Sequence, residues 1–274
     1  CVSLTVPKGA APEAGWPLAV YAHGTGGNYR SFIGSGIAAD LAAADTKDGK
    51  TAGVAVLGYD GVLHGPRKGV STKKSDELVF NVLNPPAARD NPLQGAADLF
   101  ALARMASVGL LAVPGVKLDP TRLLLYGHSQ GGNAGALAAG YEPRFGAVVL
   151  SGTGAYLTQA LLEKKAPVNV SAALPLVFGE AVDGNHPVLS LFQMYFERSD
   201  QVNTAHRIVT APLPMAMPKH LLHVYGLADT YSPVATQRSF TNIVGLPVGV
   251  RADTDMTFQP AAVTLPATKN LAGV

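Results

Sequence analysis

Five apolar runs, each the length of a strand, recur along this chain: 17–22 (PLAVYA), 52–58 (AGVAVLG), 122–126 (RLLLY), 147–150 (AVVL) and 220–225 (HLLHVY). Runs without polar alternation suit strands covered on both faces. Helix-patterned stretches lie between them at 32–44, 94–107 and 132–140, and in the second of these Leu99, Leu102, Ala103 and Ala106 follow i, i+3, i+4, i+7 spacing. Strands alternating with helices predict an α/β fold, a mostly parallel central sheet flanked by helices. Residues 2–6 alternate like one further strand.

Two stretches interrupt the alternation. Residues 62–92 read as a long polar loop containing Gly65-Pro66 and Asn84-Pro85-Pro86, too long for a simple connection. Residues 156–218 contain prolines at 167, 175, 187, 212, 214 and 218 and enclose 188–197 (VLSLFQMYFE), which is apolar on nearly every side. Such a segment is either buried between layers or forms the underside of a cap. The chain therefore reads as one domain, 1–274, with a cap inserted at about 156–218.

Composition narrows the class of partner. Hydrophobic residues make up 47% of the chain, which excludes disordered and fibrous classes. Only 15% are charged, Lys plus Arg (21) nearly balance Asp plus Glu (19), and the net charge is +2. That is no nucleic-acid or membrane-surface footprint; the densest basic cluster, Arg67, Lys68, Lys73 and Lys74, is broken by Gly69 and Ser71 and reads as a solvated loop. No apolar run is long enough to cross a membrane. The single cysteine, Cys1, excludes an internal disulfide and a C-x-x-C zinc or redox pair, so neither metal nor cofactor is expected. A leading cysteine is also what a processed, acylated lipoprotein presents, which favours an exported or envelope location; against it, residues 2–6 look like a strand rather than a polar tether, so a chain cut upstream stays open.

The third apolar run leads into Gly127-His128-Ser129-Gln130-Gly131-Gly132 and then an alanine-rich helix. This is G-x-S-x-G in its required setting of strand, sharp turn and helix. Ser129 would sit in a strained backbone conformation, with glycine at 127 and 131 because a Cβ there would strike a neighbouring element. The first run ends in His23-Gly24-Thr25-Gly26-Gly27. Acyl transfer through a serine builds negative charge on the former carbonyl oxygen, and two preorganised N–H donors stabilise it. Gln130 and Thr25 are the expected donors.

With these two motifs in this order the chain resembles the esterase and lipase branch of the α/β-hydrolase superfamily, from about Val20 to Pro233. The resemblance implies Ser129 as nucleophile after the family's fifth strand and a triad in the order serine, acid, histidine. The turn Gly226-Leu227-Ala228-Asp229-Thr230-Tyr231-Ser232-Pro233 looks like the loop that carries the acid, Asp229. A plain N-cap for a helix at 234–243 is the bland alternative for Asp229, and Asp183 is the second candidate acid. His23, Gly24 and His128 border the expected substrate position, His23 in a structural role and His128 pointing aside. His64 ends the loop after the second run and is expected at the surface, with the pocket wall as the alternative.

The base is missing from the pattern. The seven histidines stand at 23, 64, 128, 186, 206, 220 and 223, and none follows Asp229. Three explanations compete: a histidine beyond Val274, on a C-terminal strand and loop that the sequence lacks; His186 or His206 swinging in from the insertion; or an inactive relative that only binds. His220 and His223 differ by an odd number in a strand, so they face opposite sides and cannot share a metal. The expected activity is hydrolysis of carboxylic esters through an acyl-enzyme on Ser129, with peptidase, acyltransferase or inactive binding protein as alternatives. Phe192 and Tyr195, with Leu191, Met194 and Phe196, suggest an apolar acyl or aryl group on a small-molecule ester, or simple core packing.

Overall fold

The structure is a computed structural model that describes residues 1–44, 53–81, 84–166, 169–250 and 262–264. In chain order these form β1 (Val2–Thr5), β2 (Trp16–Ala22), α1 (Ser31–Gly34), α2 (Ile37–Ala42), β3 (Ala55–Tyr59), α3 (Ser75–Val79), α4 (Pro85–Ser107), β4 (Leu118–His128), α5 (Gln130–Ala139) and β5 (Phe145–Ser151). There follow α6 (Leu157–Glu163), α7 (Val170–Phe178), α8 (Pro187–Phe196), three short 3-10 turns, β6 (His220–Val224), α9 (Val234–Val244) and the short parallel pair β7 (Val248–Val250) and β8 (Ala262–Thr264). Six strands make the main sheet in the order β1-β3-β2-β4-β5-β6, with β1 antiparallel and the rest parallel.

All residues of β2 and β3 are buried, which is why both read as unbroken apolar runs. On one face Leu18 and Val20 of β2 pack with Leu125 of β4, Leu99 and Ala103 of α4, Leu137 of α5 and Phe240 of α9. On the other, Ala19, Tyr21 and Val56 pack with Phe32 of α1 and Leu41 of α2. The alternation of Cβ direction along β2 feeds both layers at once. At the far edge, His220, Leu222 and Val224 of β6 are exposed.

The order β3-β2-β4 matters for function. From β2 the chain moves outward to β3, and it then returns to the other side of β2 to lay down β4. The loops leaving the ends of β2 and β4 therefore part company, and an open α/β sheet forms its crevice at such a point. The His23 loop follows β2 and Ser129 follows β4.

Several expectations need correction. The helix expected at 32–44 is two short ones, separated at Gly36, whose φ of 84° no continuous helix allows. The strand expected from 52 starts at Ala55, and Ala52 itself lies outside the described residues. The 62–92 stretch is not all loop: α3 lies within it, and α4 begins at Pro85 rather than 94. Prolines are tolerated in a first turn, where the missing N–H has no partner to lose, and Asn84 caps that turn by accepting from the Ala87 N–H at 3.3 Å. Asn91 donates to the Leu78 and Val79 carbonyls, at 3.3 and 3.0 Å, and holds α3 against α4. The basic cluster is only partly free, since Arg67 grips Asp98 through both nitrogens.

In the insertion, the apolar helix expected at 188–197 is neither wholly buried nor a continuous lining. Leu189 and Phe196 are buried while Leu191 and Met194 are exposed. The anchor of this region is Asp200, with no exposed surface. Its carboxylate accepts from the Tyr156, Leu157 and Val202 N–H groups at 2.9, 2.8 and 3.1 Å and from Gln193 Nε2 at 2.8 Å. Four donors compensate the cost of burying the charge, and two of them open α6.

Candidate active site

Ser129 joins β4 to α5 at φ 52° and ψ −117°, a region L-residues avoid. The strain is held by the Ser129 N–H donating to the Ser151 carbonyl at 2.8 Å and by the Ser129 carbonyl accepting from the Asn133 N–H at 2.9 Å. Glycine is obligatory at 131, where a Cβ would lie 2.1 Å from the Ala22 carbonyl oxygen. At Gly24 a Cβ would come within 3.2 Å of Ser129 Cβ, so the loop after β2 lies directly against the serine.

Thr25 and Gln130, the two expected donors, lie beside one another. The Thr25 hydroxyl donates to Gln130 Oε1 at 2.8 Å, tying the loop to the turn. Among the described residues neither the Thr25 nor the Gln130 backbone N–H has an acceptor. Two unclaimed donors beside a strained serine can stabilise an oxyanion.

His64 corrects the sequence reading, and His23 is engaged with backbone through both ring nitrogens. His64 is buried rather than at the surface, and His23 is buried beside it, the ring centroids 4.7 Å apart and nearly perpendicular. His23 Nδ1 lies 2.7 Å from the Gly24 carbonyl and its Nε2 accepts from the Gly61 N–H at 2.9 Å. His64 Nδ1 lies 2.8 Å from the Val62 carbonyl and its Nε2 accepts from the Gly26 N–H at 2.9 Å. An accepting Nε2 is unprotonated, so both rings are neutral with the proton on Nδ1. Burial holds both pKa values below the ordinary histidine value, while the carbonyl partners and Asp60 pull the other way. With both nitrogens occupied, the His23 ring contacts no substrate through them. The signal for His64 was in the strand order: β2 and β3 pair in parallel, so the loops after both lie side by side.

The remaining histidines do not reach the serine. His128 is exposed, with Nδ1 3.3 Å from Ser151 Oγ. His186 caps α8 through the Val188 N–H and faces Glu180 at 3.1 Å. His206 lies in a 3-10 turn of the insertion, and His220 is exposed on the edge strand. His223 lies within β6 and is half-buried, with Nε2 3.0 Å from the Thr153 carbonyl and Nδ1 3.2 Å from Thr241 Oγ1; burial lowers its pKa to about 4. Among the described residues no histidine hydrogen-bonds the Ser129 hydroxyl, and no cluster of three or more His, Cys, Asp or Glu is placed to hold a metal.

Asp229 follows β6 at the same end of the sheet as Ser129. Its Oδ1 accepts from the Tyr231 and Ser232 N–H groups at 2.8 and 2.9 Å, so it shapes its own turn rather than capping α9, whose cap is Pro233. Among the described residues Oδ2 accepts one long hydrogen bond, 3.4 Å, from Gln237 Nε2, and it faces Gly152 at the end of β5. Asp183 instead closes an exposed turn, accepting from the Asn185 N–H. The insertion docks onto the Asp229 loop: the Lys165 and Ala166 N–H groups donate to the Thr230 carbonyl, and Lys164 Nζ donates to the Tyr231 carbonyl at 2.5 Å while lying 5.8 Å from the Phe80 ring.

Phe192 stacks on Phe196 at 4.3 Å, and Tyr195 packs between Phe196 and the Arg89 guanidinium. Neither lines the cavity of about 40 Å³ beside Gln130 and Gly131, whose walls are His23, Tyr59, Val62, Phe80 and Pro92.

No protein-family model matches the chain, and no curated protein matches it in sequence. Among solved structures it is similar to an acetyl xylan esterase from Paenibacillus sp. R4, with 18% identity over 88% of this chain and 69% of that one and a TM-score of 0.55. It is similar also to acetyl xylan esterase 1 from Thermoanaerobacterium sp. (17% identity, 88% and 68% covered, TM-score 0.52) and to a puromycin-hydrolyzing peptidase from Mycobacterium tuberculosis (17% identity, 89% and 31% covered, TM-score 0.51). At these identities the likeness is one of fold: the chain has the α/β-hydrolase fold.

Proposed function

We propose that this chain is a serine hydrolase that cleaves carboxylic esters through an acyl-enzyme on Ser129. The observation that carries the reading is the strained serine at the head of α5 with two N–H groups, Thr25 and Gln130, unclaimed among the described residues and on loops linked side chain to side chain. Ser129 Oγ would attack the ester carbonyl, its proton passing to a base, and the two N–H groups would hold the oxyanion until the alcohol leaves and water releases the acid. The base in this scheme is a histidine oriented by Asp229, whose Oδ2 is the oxygen left for it among the described residues. The insertion acts as a cap, held by Asp200 and resting on the Asp229 loop. The cavity beside Gln130 is small, which suits a short acyl chain.

The test is fluorophosphonate labelling of the full natural protein with hydrolysis of p-nitrophenyl esters and matched anilides. The expected result is labelling on Ser129, lost in Ser129→Ala, with esters turned over and acetate preferred to octanoate. An unlabelled Ser129 would make the protein a binder rather than an enzyme, and preferred anilides would make it a peptidase.

A further inference from the structure

We infer that His23 and His64 form a reciprocal positioning pair that aims the Thr25 N–H at the reacting oxygen, a role that rests on the reading of Thr25 as an oxyanion donor. Each imidazole projects from one loop and accepts a backbone N–H of the other: Gly61 to His23, Gly26 to His64, both at 2.9 Å. The consequence falls on the two peptide units that flank Thr25.

The first unit joins Gly24 to Thr25. A trans peptide places its C=O and N–H on opposite sides. The Gly24 carbonyl is held from one side by His23 Nδ1–H at 2.7 Å and by the Gly27 N–H at 3.0 Å. The Thr25 N–H is thereby turned to the other side, where no described residue accepts it. The second unit joins Thr25 to Gly26, and His64 holds it through the Gly26 N–H. Gly26 has φ of 80° and open space where a Cβ would stand, so no side chain at 26 steadies that peptide. Neither ring need touch substrate; both are positioning residues. The second loop is itself anchored, since Asp60 Oδ1 accepts from the Tyr29 N–H at 3.0 Å and the Asp60 carbonyl from Arg67 at 3.0 Å.

The test has two arms on the full natural protein. In ¹⁵N NMR at pH 7, both rings should be neutral with Nδ1 protonated, and N–H···N couplings should connect Gly26 to His64 Nε2 and Gly61 to His23 Nε2. A ring found charged, or protonated on Nε2, overturns the inference whether or not the protein is active. In the kinetic arm, His64→Leu should lower kcat for p-nitrophenyl acetate by about 10- to 100-fold, less than loss of a whole oxyanion donor, with KM within about threefold. His64→Gln, whose Oε1 can take the Gly26 N–H, should restore kcat to within about fivefold of the parent. Equal loss in both variants, or a loss confined to KM, overturns the positioning role. A parent protein that hydrolyses no ester would count against the ester reading and leave the NMR arm to decide the pair.

Discussion

The two sides of the site are built to different degrees. On the Thr25 side every imidazole nitrogen of two buried rings has a backbone partner, and the loop is tied to the serine turn through Gln130. On the Asp229 side one carboxylate oxygen is saturated by its own turn while the other, among the described residues, accepts a single long hydrogen bond. Preorganisation is thus complete where charge would be stabilised and open where a histidine would be oriented. Donors fixed before the reaction cost no reorganisation during it, whereas an acid that orients a base needs one oxygen in reserve.

The sharpest way to break this comparison is Asp229→Asn. The amide oxygen can still accept from Tyr231 and Ser232, so the turn and the fold should survive. If Oδ2 is the reserved oxygen, kcat for ester hydrolysis should fall by about 10⁴-fold with the melting temperature little changed. A variant that keeps its activity would show the open oxygen to be idle.

A second test probes burial on the two sides through pH. His223, in β6, has its pKa lowered to about 4 by burial, with the Thr153 carbonyl opposing. The unfolded chain, with an ordinary histidine pKa near 6.5, binds this proton first. Stability from His223 is therefore complete above about pH 6.5 and is lost as pH falls towards 4, by about 3 kcal/mol in total. His23 and His64 are shifted the same way and steepen the slope over the upper part of that window. Urea unfolding between pH 7.5 and 4 should show this fall, and ring C–H signals should show His223 titrating last. Titration of His223 near 6.5 would mean that the acid side is wetter than its packing against Phe240 and Tyr225 implies.

What could be read in the sequence divides along the same line. The apolar runs of β2 and β3 and the glycines around Ser129 follow from local rules: strands buried on both faces and a turn that admits no Cβ. His64 and Asp200 did not, because their burial depends on which loops the sheet order brings together; nothing near Asp200 in sequence announces that it will cap α6, more than forty residues earlier. Pro85 and Pro86 read as a loop because a proline signals either a break or a first turn, and only the packing of α3 on Asn91 decides.

The smallest expected effect lies in the link between the Thr25 hydroxyl and Gln130. Thr25→Val removes one hydrogen bond of 2.8 Å but leaves the backbone, the β-branched shape and both imidazole contacts in place. Such a bond between partly buried neutral groups contributes roughly 0.5–1.5 kcal/mol. If the hydroxyl serves to keep the Thr25 and Gln130 N–H groups convergent, that energy should appear in the transition state, as a fall in kcat of about three- to tenfold with KM unchanged. The rings alone would then be insufficient to set the loop. If kcat does not move, the His23 and His64 pair fixes the donor without help from the serine turn, and the Thr25 side is more rigid still than its hydrogen bonds require.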